Sequence, residues 1–476
     1  MGARGTPGST AAFHLHRGKL VRGDDARTIA AEVLLACEVD GAYANLALPA
    51  RLSRSSLSAR DRAFATKLTY EAQRLAGYYD WIAQQCLNRR LGDVDPEVRV
   101  LLRIGAHQLL AMRVPAHAAV SATIDAGRAL THRGALGLVN AVLRRIAREA
   151  DRWEDRVNAI DDPWQRRAVR TSHPRDVVRA LDSALRAHGR AGEIDALLDA
   201  NNAAPWVQLV ARPGLVTPDE LADEAEDVLD VSVAYGQLSP WSLTLSGGDP
   251  ARLPSVSSGA AAIEDEGSQL VAGILASAPV DGEESAWLDL CAGPGGKTAL
   301  LRALAPAGVR LVANEVTAHR ARLVEDSTRA FGDVEVHTGD GRTFGDAAVY
   351  DRVLVDAPCT GLGSLRRRPE ARFRGRVAQV PELANLQVGL LTRALDLTRP
   401  GGIVGYATCS PHVGETLKVI ERVMADSARR IEPVDAVAIA RKLAPHEADF
   451  GQGPYVQLWP HRHGTDAMFL ALLRVS

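Results

Sequence analysis

Apolar positions recur at three- and four-residue spacing through the first third of the chain. Val139, Val142, Leu143 and Ile146 fall at i, i+3, i+4 and i+7, one face of a helix. Similar amphipathic stretches cover 29–37, 62–74 and 98–112, with breaks at Gly92, Pro115 and Gly134. No alternating strand pattern interrupts them, so residues 23–155 are expected to form an all-α bundle. Residues 160–255 mix their signals. A short helix at 177–186 is followed by a strand at 205–212 and an acidic stretch, which reads as a small α+β connecting domain. From 256 to 476 short apolar runs alternate with helix- or loop-length segments. The runs are 286–290, 311–314, 334–337, 352–355 and 403–406. That alternation predicts an α/β domain, a parallel sheet with helices on both faces. Ligands on such a sheet bind beyond the carboxyl ends of the strands.

Composition agrees with a multidomain globular chain. The 476 residues are 46% hydrophobic and 24% charged, and about 150 residues per domain makes three domains the natural division. No run of 18 apolar residues exists, so no membrane span is expected. The first 22 residues hold Arg4, Arg17, Lys19 and Arg22 but no apolar stretch of a secretory signal. The five cysteines show no CxxC pair, which argues against a disulfide framework or a zinc site and for a cytoplasmic protein with reduced thiols.

Net charge is −2, so no global field draws the chain to nucleic acid. Charge is segregated instead. Seven acids and no base lie between Pro218 and Asp230, and six arginines against Glu370 alone lie between Ser364 and Arg376. Only five of the 56 basic residues are lysines, so an arginine cluster weighs less here than an individual lysine such as Lys297.

The run at 286–290 leads into Cys291, Ala292, Gly293, Pro294, Gly295, Gly296, Lys297 and Thr298, then a helix. Glycines permit a tight turn and close backbone approach to a ligand, and a helix N-terminus offers unpaired N–H groups. A phosphate-binding loop would need glycine where Cys291 stands, so that spacing fails. A nucleoside-cofactor site fits better. Glu315 ends the next strand, where an acid can accept from ribose hydroxyls, and Asp340 ends the third, within reach of an adenine amino group. A dinucleotide site stays open, although the loop lacks G-x-G-x-x-G spacing.

Two cysteines follow later strands: Cys359 in Asp356-Ala-Pro-Cys, and Cys409 in Tyr406-Ala-Thr-Cys-Ser. A buried cysteine is ordinarily a small hydrophobe, which suits Cys37 and Cys86. Beside a cofactor a thiolate has a use. Added to C6 of a pyrimidine, it turns C5 into a carbanion-like centre that can attack an electrophilic methyl group. A base must then remove the C5 proton. A cysteine hydrolase built on Cys409 and His412 is a weaker alternative, the two being three apart in a Pro-containing loop.

The segments DLCAGPGGKT (289–298), DAPCTGLGSLRRRPEARFR (356–374), YATCS (406–410) and DEGSQLVA (265–272) resemble the RNA cytosine-5 methyltransferases. With VRVLLRIGAHQLL (98–110) and GLVNAVLRRI (137–146), which are similar to a NusB-like RNA-binding domain, the whole chain resembles the bacterial RsmB/Sun-type ribosomal RNA enzymes. The resemblance implies a NusB-like bundle, a connecting domain and a Rossmann-like methyltransferase domain. It implies S-adenosyl-L-methionine as donor, held by Cys291–Lys297, Glu315, Asp340 and Asp356, with Asp356 also lining the base pocket. Cys409 would be the nucleophile, and Cys359 would serve proton removal and product release. Arg366, Arg367, Arg368 and Arg372 would form a phosphate-contacting arm, and the target base would leave its stack.

Three positions depart from the family pattern: Gly293 for alanine, Glu315 for aspartate and Arg372 for lysine. The expectation is a monomer, free of metal, that methylates C5 of a cytosine in ribosomal RNA, 16S RNA first. The rivals are another RNA such as transfer RNA, or a non-catalytic RNA-binding assembly factor on the same fold.

Overall fold

The computed structural model describes residues 25–476, so the basic segment holding Arg4, Arg17, Lys19 and Arg22 lies outside the described residues. The chain divides into two compact units. One runs up to Arg179 and also takes Arg367–Arg374; the other holds Ala180–Arg366 and Gly375–Ser476.

The first unit is helical, as its periodicity predicts. Its principal helices span Ala26–Val39, Ala59–Arg74, Ala76–Cys86, Pro96–Leu110, Ala116–Gly127 and Arg133–Arg148. Side-chain caps start three of them: Asp25 accepts from the amides of Arg27 and Thr28, Ser58 from that of Asp61, and His132 from that of Ala135. Leu34, Leu68, Tyr79, Ile82, Leu101, Ile104, Val139 and Leu143 form the shared core. Each such side chain contributes roughly 1.5–3 kcal/mol by leaving water. Arg103 sits within this packing and meets Asp80 through two 2.7 Å hydrogen bonds while also pairing with Glu38, so one guanidinium joins three helices.

Arg367–Arg374 belongs to this unit through specific contacts. Its 3-10 turn, Pro369–Phe373, sets the Glu370 carboxylate 3.3 Å from the amide of Ala44. Arg372 donates to the carbonyls of Arg74 and Ser172, and Arg374 to that of Ala42. The Arg368 and Arg374 guanidinium groups lie over the Tyr43 ring, 5.0 and 4.4 Å from its centroid.

The second unit opens with a four-stranded antiparallel sheet: β1 (Val207–Ala211), β2 (Val233–Tyr235), β3 (Ser242–Leu245) and β4 (Ala261–Ile263), in spatial order β2-β3-β1-β4. With helices Pro218–Leu229 and Pro254–Ser258 this is a β-α-β-β-α-β succession. The acidic stretch is therefore the first of these helices, opened by a Thr217/Glu220 capping box. One face of the sheet packs Leu209, Leu243 and Leu245 onto Leu221 and Ala225 of that helix. The other rests on helix Glu266–Ser277, where Gln269 donates to the carbonyl of Leu209 and Val210 joins Leu270 and Val271. The connecting segment expected to end at residue 255 thus completes its sheet only with β4, from beyond that point.

The larger sheet comprises β5 (Ala286–Asp289), β6 (Arg310–Glu315), β7 (Val334–Thr338), β8 (Tyr350–Asp356), β9 (Thr398–Thr408), β10 (Ile431–Val434), β11 (Val456–Gln457) and β12 (Phe469–Val475). Its order is β10-β12-β9-β8-β5-β6-β7, with β11 also on β12. β5 to β9 are parallel, whereas β10 to β12 add an antiparallel edge that the apolar runs do not announce. Alternate residues feed two cores: Trp287, Leu354 and Ile403 on one face, Leu288, Val353, Val355 and Val404 on the other. The order of connection reverses at β5, the chain running outward to β6 and β7 and then crossing back to β8 on the other side, so the crevice of this topology opens beyond the carboxyl end of β5.

Candidate active site

Beyond β5 the chain turns through Cys291–Gly295 into helix Gly296–Leu304. Gly295 has φ +92°, and a Cβ there would stand 2.9 Å from the Cα of Val324, so both sterics and conformation demand glycine. Gly293 has φ +59°, a region that L side chains rarely adopt. Glycine in place of the family's alanine therefore relieves strain there. Asp289 is fully buried at the end of β5; its Oδ2 accepts from the Thr298 hydroxyl at 2.7 Å, and its Oδ1 has no hydrogen-bond partner. Burial pushes its carboxyl up to about 7.

The acids expected on the next strands occupy their ends in different states. Glu315 is buried; its Oε2 accepts from the Gly293 amide at 3.1 Å, and its Oε1 lies 3.5 Å from Arg320. It therefore braces the glycine loop. Asp340 is half-exposed and holds Arg342 through the guanidinium and the backbone amide, hydrogen bonds that keep its carboxyl below the usual range. Asn314, absent from the sequence-based reading, donates to the carbonyls of Leu290 and Gly339 and so stitches the ends of β5, β6 and β7. A polar residue near the end of a buried strand is the signal it leaves.

β8 and β9 deliver the remaining groups. Asp356 and Lys297 meet at 2.8 Å. Burial alone would lower the Lys297 ammonium, but Asp356 and Glu264 outweigh it and hold the group charged, with Cys409 adding to the effect. Glu264, one residue before the quoted DEGSQLVA segment, is a second site residue that the sequence-based reading passes over. It is buried, accepts from Ser268 at 2.7 Å, and burial raises its carboxyl.

The sulfurs of Cys359 and Cys409 lie 3.4 Å apart, although 50 positions separate them in sequence. The hydrogen bond to Cys409, followed by burial, pushes the Cys359 thiol well above its ordinary range, so Cys359 keeps its proton. Cys291 is raised chiefly by burial. His412 spends its Nδ1 on the amide of Gly414, which leaves the Cys409/His412 hydrolase arrangement without its base. The pair is also backed by Glu415, again unremarked in the sequence. It is fully buried and accepts from the amide and hydroxyl of Thr360 and from the hydroxyl of Ser410.

Arg366, Arg367, Arg368 and Arg372, expected to form a phosphate-contacting arm, are each buried or half-buried. Arg366 is buried and donates to the carbonyl of Gly464 at 2.6 Å. Arg372 is 1% exposed, bound to the carbonyls of Arg74 and Ser172. Arg367 is half-buried, and Arg368 is half-buried against Tyr43. Carbonyl oxygens meet Arg366 and Arg372, and an aromatic face meets Arg368. Among the described residues no cluster of three or more His, Cys, Asp or Glu side chains could hold a metal ion, and no helix is long and apolar enough to cross a membrane.

Comparison with known proteins agrees with this arrangement. The family described as 16S rRNA methyltransferase RsmB/F matches residues 274–474, and the NusB family matches 24–148. A Mycobacterium tuberculosis H37Rv protein named as a methyltransferase is 48% identical over 95% of this chain and 96% of its own length. The ribosomal RNA small subunit methyltransferase B of Pseudomonas putida is 34% identical over 94% and 98%. The crystal structure of PH0851 superposes with a TM-score of 0.79 at 22% identity, over 95% of this chain and 99% of that one. The cofactor is S-adenosyl-L-methionine, and the residues present fit it. The glycine loop turns tightly into the N-terminus of helix Gly296–Leu304, the buried Asp289 Oδ1 lacks a partner, and Glu315 and Asp340 lie at the ends of the adjoining strands. From its NusB-family helices to its glycine loop and paired thiols, the chain belongs to the RsmB/F family of 16S rRNA methyltransferases.

Proposed function

We propose that this enzyme methylates C5 of a cytosine in 16S ribosomal RNA through a covalent bond between Cys409 and C6. The observation that carries the reading is the 3.4 Å approach of two thiols beside the Lys297–Asp356 pair. S-adenosyl-L-methionine, when bound, supplies an electrophilic methyl group. Lys297 favours the thiolate of Cys409, and Cys359 donates a hydrogen bond to it. Addition to C6 gives C5 the electron density to take the methyl. The Asp356 side chain is 31% exposed and can accept from the exocyclic amino group, a donor that cytosine has and uracil lacks.

Once Cys409 is bonded to carbon, it no longer presents Cys359 with a negative acceptor. The two influences of Cys409 that hold Cys359 protonated then disappear together. Burial still favours the neutral thiol, but the part-exposed Cys359 can now pass its proton to solvent, take the C5 proton as thiolate and let Cys409 depart as the thiolate. The base is thus released by the step that creates the need for it. The NusB-family helices would dock structured RNA, and the target base would have to leave its stack to reach both sulfurs.

The test uses radiolabelled methyl donor with unmethylated 16S RNA and, separately, transfer RNA. Cys409→Ala should abolish transfer to 16S RNA, and Cys359→Ala should accumulate a protein–RNA adduct stable to denaturing electrophoresis. Full activity in Cys409→Ala would remove the nucleophile assignment, and labelling of transfer RNA alone would remove the substrate.

A further inference from the structure

We infer that Glu415 is a positioning residue that holds the two cysteine loops in register, an inference that rests on the reading of Cys409 and Cys359 as the reacting pair. Its carboxylate is bonded to the residues directly following both thiols, Thr360 and Ser410. Oε1 accepts from the Thr360 amide at 2.7 Å, and Oε2 accepts from the Thr360 and Ser410 hydroxyls at 2.5 and 2.6 Å. Those hydroxyls also meet each other at 3.0 Å. Gln387 extends the latch: its amide donates to Oε1 at 3.3 Å and to the Pro358 carbonyl, just before Cys359, at 2.8 Å. The backbone carbonyl of Glu415 is itself held by the Tyr406 hydroxyl at 2.7 Å, so the latch is anchored to β9.

Glu415, Ser410 and Gln387 are fully buried, and Thr360 is 1% exposed. Four donors converging on one buried carboxylate fix its position as few neutral groups could. A separate bond, Gly363 N–H to the Cys409 carbonyl at 2.9 Å, also joins the loops. It constrains one strand end only, whereas the carboxylate spans the residues behind both sulfurs. Glutamine in its place keeps an acceptor for the Thr360 amide, and the two hydroxyls can rotate to accept from its NH2. Alanine keeps neither.

The experiment reads the spacing of the thiols directly, in the full-length protein without RNA. Phenylarsine oxide condenses with two close thiols, forming two As–S bonds and releasing water, and Cys359→Ala calibrates loss of that capture. Glu415→Ala should weaken capture about tenfold and lower kcat by up to about 10²-fold, the scale of a 1 Å misplacement, with KM for the donor unchanged. Glu415→Gln should restore most of both. Ser410→Ala, which keeps the carboxylate and removes one arm, should show a smaller loss in the same direction, and decides the matter if Glu415→Ala fails to fold. Wild-type capture in Glu415→Ala or in Ser410→Ala overturns the inference, whatever happens to turnover, and so does a glutamine variant as impaired as alanine. Methylation surviving in Cys409→Ala would instead remove the reaction scheme while leaving the capture result to speak for Glu415.

Discussion

Gly295 and Asp289 show how tightly single residues set the cofactor end of the site. A methyl group at Gly295 meets backbone, the Val324 Cα, and sits at φ +92°, a left-handed conformation that costs an L-residue roughly 1–2 kcal/mol. Gly295→Ala should therefore displace the loop, and the expected outcome is loss of the thermal stabilisation that S-adenosylhomocysteine gives the wild type. An undiminished shift would show that the loop tolerates a side chain. Asp289 makes a pH prediction. Its folded value of about 7 lies above the roughly 3.9 of an unfolded aspartate, so its contribution is whole below about pH 4 and fades as pH rises toward 7. Asp289→Asn does not titrate. In paired melting curves it should gain on the wild type between pH 4 and 7 and gain no more above that. A constant difference across the range would place the titration elsewhere.

Elements differ in how much of themselves they show in sequence. β5, β6 and β8 are legible because strands buried on both faces are short continuous apolar runs, and because the groups that follow them sit where ligands of this topology bind. Cys359 and Cys409 are legible for the same reason, each trailing such a run. β10 and β12 are not: Pro433 interrupts the first, and the unbroken apolar run of the second matches a buried helix segment as well as a strand. Glu415 and Glu264 escape for a different cause, since what they do lies in partners far along the chain, Thr360 being 55 positions from Glu415. The arginine segment is a case where composition is silent, because charge density alone does not say whether guanidinium groups face water or carbonyl oxygens. Burial pushes Arg372 down to about 9, with Arg74 adding to it. Arg372→Ala should cost about 2–3 kcal/mol by stranding buried carbonyls. It should leave the salt dependence of RNA binding unchanged, whereas losing a phosphate contact would reduce the slope of log K against log salt by about 1. Denaturant melts and a salt titration separate the two.

At the scale of the whole molecule, the division of the chain matters more than the number of its domains. Periodicity suggests three consecutive blocks, yet the eight residues from Arg367 to Arg374 leave the catalytic unit in sequence and fold with the helical one. Glu370, Ala371 and Arg372 are all buried there, and their partners, Ala44, Arg74 and Ser172, belong to helices and turns of the first 179 residues. Burying the polar groups of Glu370 and Arg372 without these partners would be expensive. A fragment beginning at Ala180 should accordingly fold its sheets but leave this segment without partners. Its arginines at 366, 367, 368, 372, 374 and 376 then become trypsin sites, because proteolysis tracks the population of opened backbone. Limited trypsin digestion of that fragment should cut within 366–376 first, while the full chain under the same conditions is cut elsewhere or more slowly. Equal protection in both would mean that the catalytic unit alone orders the segment.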